Sequence, residues 1–372
     1  MAIEEEAAET AAPKLIGRDR VTDAAATLFS AGDDSGQIPD KFVEATGEDE
    51  AFELPVVDMA KLLDPELSAS ETAKLGSACR DKGFFQLTSP GVDEEVMRRM
   101  KESAAEFFRL PLETKNAIAF RGDDIFHGFG HHFNRGPSVG NKLDWAECVL
   151  LATQPVEGRK MDMWPANPPS FSSIPGCRDA LDKYSLEVMD LTKRLLGFMA
   201  VDLGVIEEAL VGAFFSDDGA VKGQNVAIHH YPPCRQPEKV LGIAPHTDFL
   251  GLTVLLHAVD TPGLQVRRGG RWLPVGPLPG ALVVNVGDIL HVLTNGVYGS
   301  IEHRVVPDAE RGRTTVVMFQ DASADGLVGP LPELLGGDDA RARYRSIGRD
   351  EYTKGHFVAV AQGTPFLHSL KK

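Results

Sequence analysis

From about Gln224 onward the chain breaks into short β-rich runs separated by Gly and Pro, and this pattern limits the folds open to it more than any other feature. The runs are VLGIAPHTD, LTVLLH, GLQVRR, RWLPV, ALVVNV, SIEHRVV and TTVVMFQ. Each is too short for a stable helix and rich in the β-branched residues that suit a pleated surface. Gly269-Gly270 lies between GLQVRR and RWLPV and signals a tight hairpin. Strands at this spacing predict an all-β sandwich or a jelly-roll barrel. The part before it reads differently. Asp93 is placed to cap a helix whose first turn holds Glu94 and Glu95. Val96, Met100, Ala104 and Phe107 then fall on one face. A second helix is expected from about Arg178 to Leu203, with Leu181, Tyr184, Val188, Leu191, Leu195 and Phe198 as its core stripe. The expected fold class is therefore mainly β with flanking helices, a jelly-roll, cupin-like core beside a helical N-terminal region.

Three segments are expected. Residues 1–50 are rich in Ala, Glu, Asp and Gly and read as a mobile leader with one short helix around Arg20 to Phe29. Residues 51–215 form the helical region, beginning with the strand-like ELPVVDM. Residues 216–372 form the catalytic jelly roll with a C-terminal helix. The two larger segments are expected to pack as one unit.

Composition removes several functions. The 372 residues include 54 acidic and 38 basic ones, giving a net charge of -16. No basic block is present, which argues against a nucleic-acid partner. The apolar stretch Leu195 to Val201 is bounded by Arg194 and Asp202 and is far too short to span a bilayer. The start, MAIEEEAAETAAP, lacks the basic and apolar runs of a secretory signal. Cys79, Cys148, Cys177 and Cys234 are scattered and form no Cys-x-x-Cys pair, as suits packing thiols in a reducing compartment. A monomeric cytoplasmic protein with a small-molecule partner and no membrane or nucleic-acid partner is the expectation.

The sharpest chemical feature is His246-Thr247-Asp248. Residues two apart on a strand share a face, so an imidazole and a carboxylate can reach one ion. His303, in SIEHRVV, is the best third ligand, and the strands between should return it on the opposite barrel wall. Two imidazoles and one carboxylate leave coordination positions open, the pattern of non-haem Fe(II) oxygenases. The donors alone do not exclude Zn or Cu. A second constellation follows in GRTTVVMF. Arg313 and Thr315 are again two apart, and a buried guanidinium needs an anion, which its fork matches in bidentate fashion. Tyr231, held by Pro232 and Pro233, is a third possible donor.

These residues resemble the plant soluble 2-oxoglutarate/Fe(II) dioxygenases, a group that includes anthocyanidin synthase, flavonol synthase-like enzymes and the alkaloid demethylases. The similarity runs from about Leu54 to Leu367. It includes FFRLPLETK, DWAE, YPPC, HTDFLGLTVLL, GLQV, VNVGD, NGVYGSIEHRV and Glu351-Tyr352. The resemblance implies a double-stranded β-helix core, with His246, Asp248 and His303 as both the catalytic centre and the metal ligands. It implies that Arg313, Thr315 and Tyr231 hold the distal carboxylate of 2-oxoglutarate, with O2 as the other co-substrate and ascorbate in support. It further implies hydroxylation, desaturation or demethylation of a small organic molecule, with release of succinate and CO2. Three departures stand out. Thr315 replaces the usual Ser, His229-His230 replaces the usual Asn-Tyr, and His291 and Thr294 replace a usual Gln and Ser before Asn295-Gly296; in the pocket, Ala227 occupies a position where related enzymes often carry Lys.

By family position the substrate pocket would be lined by Phe129, Phe133, Ala227, His230, Phe319 and Asp321. Aromatic side chains there would stack on a planar or apolar substrate. Two other classes stay open at this level. One is a non-catalytic metal-binding jelly-roll protein. The other is a zinc hydrolase, which lacks an evident general base beside the metal.

Overall fold

The computed structural model describes residues 53–121, 124, 127–131, 144–171, 179–322, 326–336, 341–362 and 364–372. The expected leader, its short helix, Cys177 and the candidate pocket residue Phe133 lie outside the described residues. Every one of the seven β-rich runs contains a strand, the strand-like ELPVVDM contains another, and the remaining strands come from stretches that were not singled out.

The larger sheet contains β1 (Val56–Asp58), β2 (Phe84–Thr88), β3 (Gly128–Gly130), β4 (Glu147–Gln154), β5 (Gln224–Tyr231), β7 (Leu252–His257), β10 (Leu282–Val286) and β12 (Arg313–Gln320). Their order is β1-β2-β10-β7-β12-β5-β4-β3. The smaller sheet, in order β6-β11-β8-β9, contains β6 (Ile243–His246), β8 (Leu264–Arg268), β9 (Arg271–Pro274) and β11 (His303–Val305). All neighbours pair antiparallel except β1 and β2. Between β8 and β9 the hairpin closes as Gly269-Gly270 predicts. Arg268 faces Arg271, and both glycines take positive φ, 56° and 79°, which a two-residue hairpin of this hand requires. Together the sheets form the jelly-roll core.

Strands β1 to β4 all precede Gln224 and are hydrogen-bonded into the same sheet as the later ones. Their sequences, such as FFQLT and ECVLLATQ, are short apolar runs. Periodicity cannot separate such runs from buried helix, so a region read as mainly helical also supplies half of the sheet.

The larger sheet has two faces of different character, because alternate residues point to opposite sides. Val226 and Ile228 of β5, Val254 and Leu256 of β7, and Val316 and Met318 of β12 pack into one apolar core with the helices. Those helices are α1 (Ser68–Asp81), α2 (Glu94–Arg109), α3 (Asp179–Leu203) and α4 (Glu207–Phe214). Asp93 caps α2 as expected, its Oδ1 accepting from Glu95 N at 2.7 Å and Val96 N at 3.2 Å. Met100, Ala104 and Phe107 are fully buried on its inner face. Along α3, Leu181, Tyr184, Val188, Leu191 and Leu195 are also fully buried, and Phe198 packs at the margin. Each such side chain stabilises the fold by about 1.5–3 kcal/mol. Truncating one, such as Leu191→Ala, costs about 2–5 kcal/mol through lost contact and the cavity left behind. On the opposite face Phe84 and Val283 meet Leu264, Val266 and Leu273 of the smaller sheet. The space between these two faces is where most of the candidate site residues lie.

Among the described residues no helix is long and apolar enough to cross a membrane. A fifth helix, α5 (Arg349–Gln362), follows the sheets and packs over Phe249 at the mouth of the barrel.

Candidate active site

One ligand atom from each of His246, Asp248 and His303 lies within 4.8 Å of the others. Asp248 Oδ1 is 3.6 Å from His246 Nε2 and 3.7 Å from His303 Nε2, and the two rings have centroids 4.2 Å apart. The convergence expected from sequence is present, but its geometric origin differs in two ways. Strand β6 ends at His246, so Asp248 reaches the centre from the turn beyond the strand rather than by strand alternation. His303 does not return on an opposite wall. Strand β11 pairs directly with β6, and His303 is in register with His246.

Each imidazole is oriented by its own strand. His246 Nδ1 meets Ala244 O at 2.9 Å, and His303 Nδ1 meets Ile301 O at 3.1 Å. A carbonyl can only accept, so both Nδ1 atoms carry a proton and both Nε2 atoms face the centre. The Ala244 amide is in turn fixed by Asp144 of DWAE, whose Oδ1 accepts from it at 3.0 Å. Phe84 packs edge-on against the His303 ring, with centroids 5.2 Å apart.

Asp248 divides its two oxygens between two tasks. Oδ2 accepts from Thr253 Oγ1 at 2.6 Å and from Asn285 Nδ2 at 2.7 Å, which leaves Oδ1 for the centre. Burial pushes this carboxyl up, but His303, His246, Asn285 and Thr253 together outweigh it and hold it below the usual range. Burial, reinforced by His246, holds His303 down, with Asp248 opposing. The centre therefore favours a charged carboxylate beside a neutral His303, the state in which they can bind a cation. Close packing keeps the turn in place. A Cβ added at Gly287 would lie 2.3 Å from Leu250 O and 2.9 Å from Asp248 O.

A second buried group lies on the inner face of the larger sheet, the face whose Thr253 and Asn285 hold Asp248. Arg313 on β12 is 1% exposed, and none of its three guanidinium nitrogens has a hydrogen-bond partner of good geometry. The guanidinium stands over the Tyr231 ring, 5.1 Å from its centroid, and Arg313 and Tyr231 are direct partners across β12 and β5. Burial lowers the Arg313 pKa, and Tyr231 offsets part of this. Thr315 Oγ1 is likewise buried without a hydrogen bond of good geometry, and the Tyr231 hydroxyl is its polar neighbour. A buried cation with three unused donors next to an unused hydroxyl is a strained arrangement unless an anion fills it. Three side chains that suit a cation, carried by the smaller sheet and the turn after β6, and four donor atoms that suit a carboxylate, carried by the larger sheet, thus face the space between the two sheets. That donor set fits Fe(II) and a 2-oxo diacid.

Two of the pocket residues expected from sequence are not brought to this face. Phe129 is buried on the helix side. It packs against Phe107, with centroids 5.9 Å apart, and lies under the Lys115 ammonium at 5.1 Å. His230 also points to the helices. It stacks on Phe108 at 5.2 Å, and its Nδ1 meets Thr314 Oγ1 at 3.0 Å. The inward histidine is His229, which is paired with Thr315 and stacked on Tyr231 at 5.9 Å. Ala227 and Phe319 do lie on the inner face, opposite Val317 and Asn225. Phe319 is also level with Thr253, which holds Asp248. Asp321 stands at the end of β12, but its Oδ2 takes Arg349 Nη2 at 2.8 Å, which ties α5 to the sheet. Residues missed by sequence reasoning include Asn285 and Thr253, polar side chains inside apolar strands, and His356 of α5. His356 stacks on Phe249 at 4.8 Å, and its pKa is pushed down to about 4 by burial, then by His246 and Arg349.

A jelly roll with two imidazoles and one carboxylate on one side of an open centre, and a buried guanidinium beyond it, defines a mononuclear non-haem oxygenase that uses a 2-oxo acid. Known proteins agree. Residues 222–322 match the model of the 2OG-Fe(II) oxygenase superfamily, and residues 54–167 match that of the non-haem dioxygenase in morphine synthesis N-terminal region. Protein SRG1 of Arabidopsis thaliana is 38% identical over 323 residues, covering 87% of each chain. The oxoglutarate-dependent flavonoid 7-O-demethylase 1 of Ocimum basilicum is 37% identical over 86% of this chain and 82% of its own. A crystal structure of JOX2 with 2OG, Fe and JA superposes with a TM-score of 0.80 at 28% identity, covering 94% of this chain and 97% of JOX2. The chain belongs to the 2OG-Fe(II) oxygenase superfamily and is a 2-oxoglutarate-dependent dioxygenase.

Proposed function

We propose that His246, Asp248 and His303 hold Fe(II), that Arg313, Thr315 and Tyr231 hold the distal carboxylate of 2-oxoglutarate, and that the enzyme oxidises a planar, largely apolar plant metabolite. The observation that carries this reading is the compact His-Asp-His cluster of the smaller sheet facing a larger-sheet inner face that carries a buried Arg313 with no hydrogen bond of good geometry. Iron with its 2-oxo acid would supply oxidising power from O2 as the acid is cleaved to succinate and CO2.

The residues of the chain supply position and environment. The Nδ1 contacts aim both imidazoles, and the clamp on Oδ2 aims the carboxylate. Arg313 and Thr315 fix the far end of the diacid, and so set which way its keto acid end points. The His246 side chain is 36% exposed against 9% for His303, so the substrate approaches from the His246 side. Phe249, His356 and Phe319 give that side an aromatic lining, and Ala227 brings no charge to it. Hydroxylation and O-demethylation both begin at a C–H bond presented there. The flavonoid and codeine O-demethylases among the relatives support a substrate of this kind. The buried, unbridged thiols Cys79, Cys148 and Cys234 support an enzyme acting in the reducing cytoplasm.

The test incubates the protein with a plant metabolite extract, Fe(II), ascorbate and 2-oxoglutarate, and follows products by mass spectrometry. Gain of oxygen, loss of two hydrogens or loss of a methylene unit from an aromatic metabolite is expected, together with succinate. No succinate under any condition would instead support a non-catalytic metal-binding protein.

A further inference from the structure

The inner face of the larger sheet carries a polar group that neither the metal cluster nor the Arg313–Thr315–Tyr231 set accounts for. His257 ends β7 and is directly paired with Thr315 of β12. Opposed residues of an antiparallel pair share a face, so His257 lies on the Thr315 side, two residues from the level of Arg313. It follows Leu255 and Thr253 at alternate positions. Leu255 packs in the core between the sheets and Thr253 bonds Asp248, which confirms the inward direction.

His257 is 5% exposed, and neither Nδ1 nor Nε2 has a hydrogen-bond partner. Burial first, then the Arg313 and Lys101 charges, holds its pKa down to about 3, so the ring is neutral and the guanidinium acts on it. A neutral imidazole has one N–H donor and one acceptor nitrogen. Leaving both unused in a dry interior is costly, and such a group needs an explanation. With Arg313 and Thr315, it makes a cluster of six buried polar atoms that have no hydrogen bond of good geometry, Nε, Nη1 and Nη2, Oγ1, Nδ1 and Nε2. Four different bonds of this cluster can be donated to one anion: two from the guanidinium fork, one hydroxyl and one imidazole N–H.

We propose that His257 is a further binding residue for the co-substrate, donating its ring N–H to the distal carboxylate held by Arg313 and Thr315. The inference rests on the co-substrate reading above and adds a specificity element to it. His257 would favour a diacid over a 2-oxo acid that ends in a methyl group.

The experiment uses the full chain loaded with Zn(II), which is redox-inert and binds the same donors. Calorimetry measures binding of 2-oxoglutarate and of 2-oxopentanoate, which has the same chain length but no distal carboxylate. His257→Leu should weaken 2-oxoglutarate binding about tenfold, the effect of one hydrogen bond to a charged group. His257→Gln keeps a donor and should stay within about threefold of wild type, by the same arithmetic. Binding of 2-oxopentanoate should be alike in all three proteins. In the wild type, the His257 ring N–H resonance should move downfield with 2-oxoglutarate and stay in place with 2-oxopentanoate, an observation that needs no stable Leu variant. Unchanged 2-oxoglutarate affinity in His257→Leu, an equal loss for both acids, or a silent ring resonance each overturns the inference. If the wild type binds no 2-oxoglutarate at all, the co-substrate reading itself fails, which is a different result.

Discussion

Asn285→Ala removes one of the two bonds that hold Asp248 Oδ2, and leaves all three metal-binding side chains in place. In the native protein Oδ2 accepts from Asn285 at 2.7 Å and Thr253 at 2.6 Å, so the carboxylate plane is fixed and only Oδ1 faces the imidazoles. Without Asn285, one oxygen of a buried anion loses a charge-assisted bond worth about 1.5–3 kcal/mol. Two consequences follow. The metal-free protein should lose about that much stability, read as a lower urea midpoint with an unchanged slope. The carboxylate can also turn about its bond to Thr253, so metal affinity should fall about 10- to 100-fold, the effect usual for such supporting contacts. Competition between the protein and a chromophoric chelator for Fe(II) under argon measures the second effect. Thr253→Val should give a similar loss, and the double variant more than either, because the two bonds share one oxygen. An Fe(II) affinity within about twofold of wild type in Asn285→Ala would refute the idea that this clamp aims the carboxylate.

Other expectations follow from the same geometry. Arg313→Lys keeps the charge but loses the planar fork, and should raise the 2-oxoglutarate requirement at least about tenfold in steady-state assays, by the strength of a charge-assisted bond. His246→Ala, Asp248→Ala and His303→Ala should each abolish succinate formation, and normal activity in all three would remove them from the centre. Lys115 Nζ pairs with Glu147 Oε2 at 2.8 Å with side chains only 6% and 9% exposed. Lys115→Met therefore strands a buried carboxylate and should cost about 3–5 kcal/mol, much of it recovered in Lys115→Met/Glu147→Leu, as thermal melts would show. The pH dependence has a definite sign. His257 and His356 are held down to about 3 and about 4, below the usual value of about 6.5, so the unfolded chain binds more protons between these limits. Metal-free stability should be full above about pH 6.5 and fall toward pH 4, with His257→Gln reducing that slope by up to about 1.4 kcal/mol per pH unit. An unchanged slope would show that the imidazole titrates normally.

Much of the site was legible because its chemistry comes in short local patterns. His246 with Asp248, and Arg313 with Thr315, each stand two residues apart, and the structure turns both pairs into the space between the two sheets. What the sequence could not supply was pairing. The adjacency of His246 and His303 depends on β6 lying beside β11, a non-local contact. The strands FFQLT and ECVLLATQ were hidden inside a helical stretch because four or five apolar residues carry no period of their own. Register also explains the exchange of His230 for His229. A slip of one residue turns every side chain of a strand to the other face, so neighbouring histidines cannot be ranked without a partner strand. Once β12 and β5 are paired, Arg313 decides the matter. It faces Tyr231, so Thr315 faces His229 and Val317 faces Ala227, and His230 is left with Thr314 on the helix side. Extended to β7, the same parity places His257 beside Thr315 without reference to any distance. One inward-facing cation and the ladder around it therefore determine which polar residues of three strands can reach the co-substrate.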